Sequence, residues 1–248
     1  HGYNTLQYLT DSSPSSCGEE HNQRVDNAYL TQLIRLRQTG LFHGYNTLQY
    51  LTDSSPSSCG EEHNQRVDNA YLTQLIRLRQ TGLLRIEDIQ NHRLVHRMSN
   101  DDYFAENRFR FIIEWDPTLL LQANAETNAY LPLHVAACQS AIQGFRSVFE
   151  FGILYYPIKK GIGLLFTKDN DGDTPYQLAC EKFERDEVMQ VVEETLLNFQ
   201  QQQQQRMADN DGDNNNSNSV EPYNIIGAFI MAAMDETIHF DCIYFLLR

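Results

Sequence analysis

Residues 169–180 read DNDGDTPYQLAC, and two structures compete for them. Four acidic or amide side chains around a glycine resemble the start of a calcium loop. The same letters also spell a tight turn feeding a helix. The calcium reading fails on spacing, because an EF-hand loop needs glycine at its sixth place, oxygen ligands at the first, third and fifth, and Glu at the twelfth. Anchoring on Gly172 puts Thr167 first and Leu178 twelfth. Anchoring the similar stretch around Asp209 and Asp213 on Gly212 gives Met207 and Asn218, which fails likewise.

The turn reading has a physical reason at each position. Gly172 takes a positive φ with no Cβ to clash. Thr174 caps the helix behind it, and Pro175 occupies the first helical position, where a missing N–H costs nothing. Ala179 is small enough to let a neighbouring helix approach closely.

Working outward, residues 131–138 read LPLHVAAC and residues 174–180 read TPYQLAC. Residues 109–115, FRFIIEW, and 145–151, FRSVFEF, repeat Phe, Arg and Glu in step, and place Trp115 opposite Phe151 as a core residue. Further on come AFIMAA at 228–233 and CIYFLL at 242–247. Each unit is expected to be a short helix of small residues followed by a second helix with an apolar stripe.

These units resemble the ankyrin repeat, whose core reads G-x-T-P-L-H-x-A. Gly172, Thr174, Pro175 and Ala179 match it, as do Pro132, Leu133, His134 and Ala136. Val188, Val191 and Val192, and again Ile243, Leu246 and Leu247, echo the V-x-x-L-L pattern of the second ankyrin helix. The arrangement is also similar to a divergent ankyrin-type family abundant in diatoms, with LPLH, YYP and YFLLR signatures. The resemblance covers residues 87–248. It implies an all-α fold, a degenerate ankyrin-like solenoid of three to four helical hairpins with lengthened fingers. In ankyrin repeats the Thr and His side chains bridge backbone groups, so the resemblance implies a structural role for His134.

Two departures stand out. Pro132 and Pro175 lie 43 residues apart, against an ankyrin period of 33. The ten extra residues are assigned to 155–168, YYPIKKGIGLLFTK, as a projecting finger whose Lys159, Lys160 and Lys168 are candidate partner contacts. Ala129 stands where the second unit's turn glycine is expected, and Leu131 where the threonine is.

The front of the chain is a duplication. Residues 1–41 and 43–83 are identical letter for letter, separated by Phe42. Structural repeats drift, so perfect identity reads as a very recent duplication, or an error in assembling the gene, rather than a selected solenoid. Each copy carries a Ser-rich loop and then a helix. In the second copy Asp68 is the expected N-cap, Tyr71, Leu72, Leu75, Ile76 and Leu78 the apolar face, and Gly82 the stop. The expected organisation is a loosely ordered first copy at 1–42, a packed second copy at 43–86, ankyrin-like repeats at 87–199, a Gln/Asn-rich disordered linker at 200–221, and a truncated repeat at 222–248. The apolar end and the start at His1 read as a fragment.

Composition narrows function. The formal charge of −14 opposes a nucleic-acid footprint or an anionic lipid surface. The longest apolar run, 225–234, is too short to cross a bilayer. Five cysteines, odd in number and widely spaced, suit reduced thiols and an intracellular setting, cytoplasmic or nuclear; Cys138 and Cys180 read as small buried hydrophobes. No Walker loop, nucleophile elbow or H-E-x-x-H occurs. His92 and His96, four apart on an expected helix, have no evident third ligand for a metal. The expected function is a non-catalytic scaffold for an unidentified protein partner, with no cofactor. The alternatives are an enzyme on a helical scaffold using His92, His96 or His134, or a non-functional gene copy.

Overall fold

A computed structural model describes residues 61–100, 103–139, 141–157 and 159–210, with backbone only at 63, 159 and 206–210. The first copy of the duplication, the Ser-rich loop of the second, the second half of the linker and the expected repeat at 222–248 lie outside the described residues. Those described form helices and connecting turns, with one isolated β-bridge between Asn124 and Tyr130. The helices are α1 (Glu61–Gln80), α2 (Ile86–Asn91), α3 (Leu94–Met98), α4 (Glu106–Trp115), α5 (Pro132–Ala137), α6 (Ile142–Tyr155), α7 (Lys159–Gly163), α8 (Pro175–Lys182) and α9 (Arg185–Asn210). Short 3-10 turns at Pro117–Leu121 and Leu164–Phe166 complete them. None of these helices is long and apolar enough to cross a membrane.

Two rows emerge from the contacts. The short helix α5 packs between α3 and α8, while the longer helices follow in the order α1, α4, α6, α9. The sequence explains the second row. Phe109, Ile112 and Ile113 on α4, and Phe145, Val148, Phe149 and Ile153 on α6, recur at helical spacing and are fully buried or nearly so. Burying each such side chain contributes about 1.5–3 kcal/mol. Trp115 is less buried than its counterpart Phe151; the Arg79 guanidinium sits 4.2 Å from its ring centroid.

Helix α1 ends as expected. Gly82 has φ +69, Leu83 N–H donates to the Leu78 carbonyl and Gly82 N–H to that of Arg79, the Schellman arrangement. Its start differs: the helix begins at Glu61, so Asp68 is an interior residue and not a cap. Asp68 is buried because Arg108 and the Asn107 N–H of α4 meet it there.

Residues 155–168 also differ from the expected finger. They fold back as α7 and a 3-10 turn against α6, burying Ile162, Leu164, Leu165 and Phe166. The approach is close enough that a Cβ on Gly161 would stand 2.2 Å from the Tyr156 carbonyl oxygen and 2.9 Å from that of Gly152. The glutamine run 200–205, expected to extend the preceding helix for a turn or two before fraying into the linker, lies wholly within α9, which continues to Asn210.

Candidate functional site

The loop that opened the sequence reading is an anion-organised turn. Gly172 has φ +93. The Asp169 carboxylate accepts from the backbone N–H groups of Asp171, at 2.8 Å, and Asp173, at 2.9 Å. Thr174 then accepts from the Gln177 N–H at 3.2 Å while Gln177 Oε1 accepts from the Thr174 N–H at 3.0 Å, a capping box with Pro175 at the first position. The preceding loop is tied to this one: Asn170 N–H donates to the Asn128 carbonyl at 3.0 Å, and Asn128 Nδ2 donates to the Asp171 carboxylate.

The matching positions in the unit before are equally structural. Pro132, Leu133, His134 and Ala136 are all buried, as are Thr174, Pro175 and Ala179. His134 Nδ1 accepts from the Leu131 N–H at 3.0 Å, so histidine does here what Gln177 does on α8, while Leu131 has no hydroxyl to make the other half of the box. The acceptor role leaves the ring proton on Nε2, which faces the following loop. Burial pulls the pKa of His134 down, against the Asp173 and Thr167 carbonyls that favour its charged form. A buried neutral imidazole already bonded to backbone is poorly placed for proton transfer.

A groove of about 710 Å³ runs along α3, the loop 122–130 and the C-terminal end of α5. Its polar lining includes His92, Arg93, His96, Arg97, Glu126 and Tyr130. Arg93 adopts φ +52 and separates α2 from α3. His92 closes α2 and His96 belongs to α3, so the two do not share one helical face as the spacing suggested. His96 Nε2–H donates to the Tyr130 carbonyl at 2.9 Å, and Tyr130 stacks on His134 with centroids 5.4 Å apart. Arg93 pairs with Glu126 across the groove, and Gln139 Nε2 donates to Asn100 Oδ1 at 2.9 Å. Burial lowers the His96 pKa, assisted by Arg93.

Cys138 also lines the groove, and it is exposed where burial was expected. Desolvation by the surrounding wall nevertheless raises its pKa, outweighing Lys182. The protonated thiol is a weak nucleophile at neutral pH. Among the described residues no group of three or more His, Cys, Asp and Glu side chains is placed to hold a metal ion.

Of the expected finger lysines, Lys160 and Lys168 do not line this groove, and the side chain of Lys159 lies outside the described residues. Lys160, exposed on α7, has its ammonium 4.5 Å from the Tyr156 ring centroid. Lys168 is exposed just ahead of Asp169. The groove residues Asn124, Glu126 and Tyr130 were not found in the sequence; their signal, polar letters in a turn, is common to any loop. No protein-family model, curated protein or solved structure matches the chain.

Proposed function

We propose that this chain is a non-catalytic protein-interaction scaffold built from degenerate ankyrin-like hairpins, with an unidentified protein partner in the groove between α3 and α5. The observation that carries this reading is the use made of the groove's chemistry. His96 and the loop beside it are committed to backbone bonds that join one hairpin to the next, and His134 is committed to its own helix cap. The wall between them stays open, polar and sizeable. A concave polar surface on a rigid stack suits recognition of another chain, and fold alone does not name that chain.

The test compares the full chain with its Arg97→Glu variant, both immobilised and both checked for helicity. A protein retained by the first and lost by the second supports the reading. Captured proteins that are the same for both, or none above background, count against it.

A further inference from the structure

Helix α1 sits in a cradle on α4 that is built for its particular letters. Arg108 Nε donates to Asp68 Oδ1 at 2.7 Å, and Asn107 N–H to Asp68 Oδ2 at 3.1 Å. Asn107 Nδ2 donates to Asn69 Oδ1 at 3.0 Å. The Arg108 guanidinium lies 5.2 Å from the Tyr71 ring centroid, Arg79 covers Trp115, and Leu75 and Leu78 are buried beneath. Each of these α1 residues has an identical counterpart in the first copy: Asp26, Asn27, Tyr29, Leu33, Leu36 and Arg37. The identity runs on through Gly40 and Leu41, the counterparts of the Gly82 and Leu83 stop, and breaks only at Phe42 against Leu84.

One chain therefore carries two copies of a plug and a single described socket. We propose that residues 19–38 of the first copy, which repeat α1 letter for letter, compete with α1 for the α4 cradle. The first copy offers the cradle the same side chains in the same order, so the difference between the two states lies in the tether. The second copy reaches α2 through residues 81–85, the first through 39–85. Loop-closure scaling favours the shorter tether by on the order of thirtyfold. The second copy thus holds the cradle in the native chain, and any change that weakens it by more than that hands the cradle to the first.

The experiment uses the full chain and hydrogen exchange read by mass. The copies give identical peptides until one is substituted, and the substitution itself makes them distinguishable. Leu75→Pro breaks α1 in its interior, a loss of more than about a hundredfold in helix stability, which exceeds the tether's advantage. The expected result is that the peptide around Leu33 becomes slow to exchange in Leu75→Pro while α4 stays protected. The mirror variant, Leu33→Pro, should leave the peptide around Leu75 slow, and the double variant should expose both together with α4. A peptide around Leu33 that exchanges no more slowly in Leu75→Pro than in the Leu33→Pro chain overturns the proposal, whether or not α4 remains protected.

Discussion

Asp68 and Arg108, forty residues apart in sequence, form an ion pair at 2.7 Å in which each side chain is at most 2% exposed. Such a pair repays its desolvation only with good geometry and further hydrogen bonds; here Asn107 N–H supplies a hydrogen bond to Asp68, and the Tyr71 ring adds a cation–π contact to Arg108. Arg108→Ala leaves a buried carboxylate without its counter-charge, though still bonded to the Asn107 N–H. The expected loss is about 3–5 kcal/mol, measured as a drop in the urea midpoint. Asp68→Leu combined with Arg108→Met should recover most of it.

Ala129 has φ +61, a left-handed conformation that costs a residue with a Cβ about 1–2 kcal/mol. Its position is the one where the repeat pattern calls for glycine. Ala129→Gly should stabilise the protein by about 0.5–1 kcal/mol after glycine's added chain entropy, raising Tm by a few degrees in a thermal melt. A lowered Tm would contradict the strain.

The same physics runs the other way at Gly161. A methyl there would meet two carbonyl oxygens, so α7 must move off α6. Gly161→Ala should cost about 1–3 kcal/mol and unprotect the amides of α7 first in hydrogen exchange.

At α8, Thr174→Ala removes one side of the capping box and should cost about 1 kcal/mol. A double-mutant cycle with Gln177→Ala tests reciprocity. The two losses should sum to about what the double variant shows, since each side chain bonds the other residue's backbone N–H, which neither substitution removes.

Acid should weaken the stack. Burial lowers the pKa of both His96 and His134 below the ordinary 6.5. The unfolded chain takes up protons at these rings near that value, the folded protein only at lower pH. Stability is therefore fully present above about pH 6.5 and declines as pH falls below it, the unfolded state binding more protons. Urea midpoints at about pH 7.5 and about pH 5 should show the decline, and His134→Gln should shrink it. An unchanged slope in that variant would assign the effect elsewhere.

Local chemistry was legible and tertiary chemistry was not. Gly172, Thr174 and Pro175 took their expected roles because a turn and a cap are decided within a few residues. Phe109 and Phe145 could be paired because both helices bury the same stripe. Asp68 looked like an N-cap, since the letter alone does not reveal an arginine forty positions away. His92 and His96 looked like one helical face because nothing in the pattern announces a left-handed Arg93. Residues 155–168 contain enough apolar letters to fold inward and enough glycine and lysine to project, and the small Gly152 and Gly161 decided for close packing.

The glutamine run has a mechanical corollary. Its six residues lie in α9 beyond the buried valines and Leu196. Each glutamine gained or lost there would slide the distal end of the rod by about 1.5 Å and swing it through about 100°. A slippage-prone tract of this kind would act as a screw thread, resetting the azimuth of whatever lies past it while the stack behind keeps its shape.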